Sequence, residues 1–151
     1  MAVHLSNRQK ALLLDRAKFR RRLVRLLKIL DLTGAEVSVS VVGDAEIRRI
    51  NREYRGVDTP TNVLAFALEE NGEGWPTLEI RGAPRVLGDI VLSADTIIRE
   101  APPLGYTAEE MLFFYLIHGL LHLLGYDHER GPAEAARQEA ETDRLWQLLD
   151  I

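Results

Sequence analysis

No cysteine occurs in the 151 residues, which excludes a disulfide framework and removes the thiolate that commonly closes a structural zinc site. Long apolar runs are missing as well. The nearest, residues 111–124, falls short of the ~20 residues a membrane-spanning helix needs and contains two histidines. The first residues lack a positively charged start followed by an apolar segment, so no secretory leader is expected. Internal repeats and low-complexity stretches are absent too. A chain that is 46% hydrophobic and 28% charged has the size and composition of one ordinary domain, 1–151, expected to be soluble and cytoplasmic.

Charge of one sign is scarce in each half. The net charge is −4, yet through Arg55 there are 13 Lys/Arg against 6 Asp/Glu, and from Gly56 onward 6 against 17. This asymmetry fits a basic surface on the N-terminal part that meets a polyanion, or a solvated helix face with no specific partner.

Histidine is also rare, and its placement organises everything else. Three of the four histidines fall within residues 118–128, HGLLHLLGYDH. On a helix, His118 and His122 lie four apart and present two imidazoles to one point. Gly125 follows the last apolar residue, where a left-handed residue commonly ends a helix. A reversal there brings His128 towards the other two and leaves the fourth position of a tetrahedral Zn²⁺ open, as catalytic zinc requires. The alternative is a buried helix whose histidines only hydrogen-bond to the backbone. The spacing is that of the metzincin protease motif with one change, Gly119 in place of the glutamate that serves as general base. A glycine inside a helix costs about 1 kcal/mol relative to alanine, so a packing or access reason is expected, such as room beside the metal for a bulky substrate.

Periodicity supplies the frame. Residues 2–6 suit a short strand, with Asn7 as cap of a basic amphipathic helix from Arg8 to about Leu30. Glu36 to Val42 alternates as a half-buried strand does, and Asp44 is placed to cap a helix from Ala45 to about Tyr54. Gly56 to Pro60 reads as a turn, Val63 to Leu68 as a strand, and Glu69 to Arg85 as a long loop or irregular hairpin. Val86 to Ser93 suits a buried strand with a bulge or close backbone approach at Gly88. Asp89 inside it either accepts backbone N–H groups or orients a metal-binding histidine. Ala94 to Glu100 fits a short helix. The capping-box pair Thr107 and Glu110 announces a buried central helix from Ala108 to Leu124, and Ala133 to Leu149 fits an acidic terminal helix packing through Leu145, Trp146 and Leu149. The expected fold is α+β, one small mixed sheet packed with about five helices.

The run at 118–128 resembles the signature of the YbeY endoribonuclease family. So does Asn51-Arg52-Glu53-Tyr54-Arg55-Gly56 with Thr59-Pro60-Thr61-Asn62-Val63-Leu64-Ala65-Phe66, and so does Leu87-Gly88-Asp89-Ile90, in the family's order. Asn62 and Ala65 stand where the family usually has aspartate and serine. The resemblance implies a single-strand-specific, metal-dependent endoribonuclease in ribosomal RNA maturation and ribosome quality control. Its implied partners are RNA, ribosomal RNA and the small ribosomal subunit, and its implied metal ligands are His118, His122 and His128.

One ion per chain, expected to be Zn²⁺, would acidify a water molecule and polarise a phosphoryl or carbonyl oxygen. His₃ sites also take Ni²⁺ or Cu²⁺. The resemblance gives Arg55 a catalytic role, neutralising phosphoryl charge; by position alone it equally suits a helix C-terminus, complementing the dipole. Two other functions stay open: a ribosome-assembly RNA-binding protein with a mainly structural metal, and a metalloprotease.

Overall fold

The computed structural model describes residues 3–68 and 85–149, apart from the side chain of His128. Four strands, β1 (Val3–Asn7), β2 (Glu36–Val42), β3 (Val63–Ala67) and β4 (Val86–Ser93), form one mixed sheet in the order β1-β2-β4-β3. β1 and β4 run parallel to β2, and β3 runs antiparallel to β4 at the sheet's edge. Five α-helices accompany it among the described residues: α1 (Arg16–Ile29), α2 (Asp44–Arg55), α3 (Ala94–Glu100), α4 (Ala108–Leu123) and α5 (Pro132–Leu149). The fold is α+β, as the mixed pattern of strands and helices predicts. The expected loop between Glu69 and Arg85 falls outside the described residues save for Arg85 itself.

α4 lies at the centre. Apolar almost all round, it packs on β3 and β4, with α3 and α5 beside it. Leu116, Ile117, Leu120 and Leu121 are fully buried among Phe19, Leu23 and Leu26 of α1, Ile90 and Leu92 of β4, and Leu145 of α5. Gly119 explains how close the helix comes. A Cβ built there would meet Ile90 Cγ2 at 2.9 Å and Val63 Cγ2 at 3.2 Å, so the glycine anticipated for packing or access is a contact point between helix and sheet. The other face of the sheet is covered by α2 over a small cluster, Val42, Ile47, Leu64 and Val91.

Two local expectations are corrected. α1 begins at Arg16, not Arg8, and Asp15 rather than Asn7 caps it, accepting from the Lys18 N–H at 3.1 Å. The intervening segment is held by side-chain bonds that compete with a helix: Gln9 donates to the Leu12 carbonyl and accepts from the Leu12 N–H, both at 2.8 Å. Asp44 is the first residue of α2 and not its cap. Its own N–H donates to Asp95 Oδ2 at 2.8 Å, while its carboxylate accepts from Ser93 Oγ at 2.7 Å and Thr96 Oγ1 at 2.6 Å and pairs with Arg99 at 2.7 Å. Burial pushes this carboxyl up, but the bonds from Thr96, Ser93 and Arg99 outweigh it and hold Asp44 below the ordinary carboxylate range.

β4 carries the bulge expected near Gly88. Glu36 pairs with Val86 and Val37 with Gly88, leaving Leu87 as the extra residue. Gly88 has φ +139°, and a Cβ there would lie 2.1 Å from the Phe66 carbonyl oxygen, so no side chain fits.

Candidate functional site

A cleft of about 590 Å³ opens at the edge strand β3, with the last turn of α2 on one side of the sheet and α4 on the other. Alternating residues of β3 point to opposite sheet faces: Val63, Ala65 and Ala67 pack with the α4 cluster, Leu64 and Phe66 with the α2 cluster. All of Val63, Leu64, Ala65 and Phe66 line the cleft. It therefore wraps the edge of the sheet and collects side chains from both sides.

α4 supplies Tyr115, His118 and His122, which recur at helical spacing on one face. His118 is half-buried and His122 exposed. The helix then ends as the glycine predicted. Gly125 has φ +97°, its N–H donates to the His122 carbonyl at 3.0 Å, and the Tyr126 N–H donates to the Leu121 carbonyl at 3.1 Å. The chain reverses, Asp127 caps a 3₁₀ turn at His128–Arg130, and Asp127 and Glu129 reach the cleft's rim. The His128 side chain lies outside the described residues. Among the described residues no group of three His, Cys, Asp or Glu side chains could hold a metal. His118 and His122 are the two described donors of the expected ligand type.

α5 adds a residue that sequence reasoning missed. Gln138 is 3% exposed, and its Nε2 lies 3.0 Å from Nδ1 and 3.1 Å from Nε2 of His118, while its buried Oε1 has no hydrogen-bond partner. A neutral imidazole has one N–H and one lone pair. An amide turned half a revolution would offer Oε1 to that N–H, the kind of acceptor that orients a metal-binding histidine. The donor chemistry here fits a metal ligand. The available signal was a glutamine at helical spacing with Thr142, Leu145 and Leu149 on the buried face of α5.

α2 supplies Arg55 and Tyr54 from its last turn. Gly56 follows with φ +72°, and the turn beyond it is pinned: buried Asn51 donates to the Thr59 carbonyl at 3.0 Å, and Arg48 grips Asp58 with two bonds of 3.0 and 3.3 Å. Arg55 is exposed and stands in the same cleft as His118 and His122. It is also a last-turn cation, so the dipole contribution holds as well.

A polar knot backs the cleft. Tyr115 donates to Glu100 Oε2 at 2.5 Å, and Asn62 Nδ2 donates to both Glu100 oxygens at 3.3 Å. Burial first, then the adjoining Glu100 carboxylate, pushes the Tyr115 hydroxyl well above its ordinary value, so it stays protonated as a donor. Tyr115 was readable three residues before His118 on the same face; Glu100 gave no signal.

Asp89 does not serve His118 or His122. It pairs with Phe66 across β3 and β4, shares that residue's face on the α2 side, and is exposed.

The chain is similar to known proteins over nearly its whole length. The family described as "Endoribonuclease YbeY" matches residues 4–149. A Geobacter sulfurreducens protein named Endoribonuclease YbeY is 43% identical over 151 residues, covering 99% of this chain and 97% of its own. One of the same name from Moorella thermoacetica is 50% identical over 109 residues, 70% of each chain. A solution structure of a Thermotoga maritima protein superposes with TM-score 0.59 at 25% identity, covering 96% of this chain and 89% of that one.

Proposed function

This chain belongs to the YbeY endoribonuclease family, and on that premise we propose that it cleaves single-stranded RNA in the cleft between α2 and α4. The ribosomal RNA of the small subunit is its proposed substrate, in maturation and quality control of the ribosome. One observation carries the reading: a cation, Arg55, and two ligand-type imidazoles, His118 and His122, come from opposite faces of the sheet and line one cleft.

His118, His122 and His128 would hold one divalent ion, Zn²⁺ in our reading. Such an ion supplies Lewis acidity to a phosphoryl oxygen and acidifies a water molecule. The protein's own groups do the rest. Arg55 offers a planar, permanently charged fork to the phosphoryl oxygens, where charge grows as the phosphodiester is attacked. Tyr115, kept protonated and aimed by Glu100, supplies a fixed hydroxyl at the back of the site. Ile90 and Val63 fill the space beside Gly119, so a glutamate there, the general base of a HExxH protease, has no room in this packing. This argues against peptide hydrolysis.

The test is cleavage of single-stranded RNA by the purified chain with and without chelator, alongside elemental analysis. Chelation is expected to abolish cleavage and re-addition of Zn²⁺ to restore it. Cleavage unchanged by chelator in metal-free protein would sink the metal reading. Retained RNA binding with no cleavage under any condition would favour the assembly-factor reading.

A further inference from the structure

The apolar stripe of α2 runs Ile47, Ile50, Tyr54, at helical spacing. Ile47 is fully buried, Ile50 half-buried, and Tyr54 is 71% exposed. The stripe thus leaves the core at its C-terminal end and delivers a large ring into the cleft. One side of that ring is braced by Phe66 of β3, with centroids 5.5 Å apart and planes inclined at 57°. The phenol hydroxyl makes no hydrogen bond among the described residues. A ring of this size left in water contributes little to folding, and Tyr54 sits one residue from the cation assigned to the phosphate. Farther along the same helix, Arg48 and Arg52 are engaged by Asp58, whereas Arg49 and Arg55 have no ion pair among the described residues.

We propose that Tyr54, braced by Phe66, is a stacking platform for an unpaired base of the RNA, next to the phosphate that meets Arg55. The inference rests on the RNA-cleaving reading above and adds a subsite to it. An aromatic face beside a free guanidinium matches a strand of alternating flat bases and phosphates. In a duplex each base is already stacked on its neighbours and is not free to cover the ring, so the platform supplies selectivity for single strands.

Binding of a fluorescent single-stranded oligoribonucleotide, 2′-O-methylated to resist hydrolysis, tests this with the purified chain as it is isolated. Stacking losses of this kind weaken binding roughly ten- to a hundredfold. Tyr54→Ala and Tyr54→Leu are both expected to lose that much, and Tyr54→Trp to keep wild-type affinity. The salt dependence separates stacking from charge. Tyr54→Ala should shift log Kd equally at every salt concentration, while Arg55→Ala should flatten the slope by about 0.7 for each phosphate it no longer neutralises. An oligonucleotide series with one abasic position should contain a member that wild type binds as weakly as Tyr54→Ala does, and that the variant binds no worse than the intact strand.

Wild-type affinity in Tyr54→Leu, with melting unchanged, overturns the platform and leaves the RNA-cleaving reading standing. Weak binding by Tyr54→Ala restored by leucine also overturns it, because an apolar contact to Phe66 then suffices. A wild-type chain that binds neither single-stranded nor duplex RNA overturns both.

Discussion

The two faces of the sheet are built differently. Beneath α4 lies a broad apolar core drawn from α1, α3, α4, α5 and three strands; beneath α2 four buried residues lie together among the described residues, and the helix outside them is studded with exposed arginines. The histidines stand on the thick side, Arg55 and Tyr54 on the thin side. Groups whose geometry must be held to a fraction of an ångström sit on the rigid face, and groups that meet a large, variable polymer sit where little else depends on them. A variant on the thin face should therefore change function at small cost in stability, and one on the thick face the reverse unless it removes a functional group.

The largest effect expected is on the thick face. His118→Ala with His122→Ala should lose bound metal altogether and cleavage with it, read by elemental analysis and RNA cleavage. Full metal occupancy in that double variant would remove the ligand assignment. For the wild type, bound metal should fall away as pH drops below the free imidazole value, near ~6.5, since each ligand binds as the neutral ring. Affinity that does not change between about pH 7 and about pH 4 would contradict this.

Next in size is Arg55→Ala on the thin face, which should reduce cleavage by about 10² to 10³ while metal content and melting stay nearly unchanged. Arg55→Lys keeps the charge without the planar fork and should recover only part of the rate. Wild-type cleavage with slightly earlier melting would leave Arg55 as a helix-end charge.

Gly119→Val asks how tight the thick face is. The 2.9 Å approach to Ile90 leaves no room for a side chain, and overpacking of this kind costs about 1 to 3 kcal/mol. The variant should unfold at lower denaturant; equal or greater stability would mean the helix can lift off the sheet.

The smallest expected effect is at Asp44, where the two faces are tied. Its carboxyl is held below its ordinary value of 3.8. The stability it contributes is therefore fully present above pH 3.8 and is lost as pH falls through the lower, folded value. Asp44→Asn should cost about 1 kcal/mol at neutral pH, and the gap to wild type should close on acidification. A gap that stays constant down to about pH 2 would place the loss elsewhere.

Much of the frame was legible because its signals are local. β2, β4 and α3 follow directly from alternation and punctuation, the capping box at Thr107 and Glu110 forms as its spacing requires, and Gly125 reverses the chain where a left-handed glycine was expected. The start of α1 was not legible, because the leucines at 12 and 13 continue the helical period although Gln9 folds the segment otherwise and Leu13 ends 96% exposed. In the site, His118, His122 and Arg55, which line one cleft, were singled out through spacing and resemblance. Glu100 and Gln138 were not, since each matters only through a partner distant in sequence, Tyr115 and His118 respectively. Gly119 announced that it had a reason, but only the packed sheet identifies Ile90 as that reason.

The exchange of carboxylates between α2 and α3 has a dynamic consequence. Asp95, in the first turn of α3, accepts the first N–H of α2, while Asp44, the first residue of α2, accepts from Ser93 and Thr96 at the start of α3. Neither helix can fray at its start without releasing the other, so their leading amides should exchange with deuterium as one cooperative unit. The far end of α2 carries Arg55 into the cleft, and the far end of α3 carries Glu100 to its bonds with Tyr115 and Asn62, which line it. An opening where these two helices begin therefore loosens Arg55 in the cleft and the Glu100 contacts behind it in a single event.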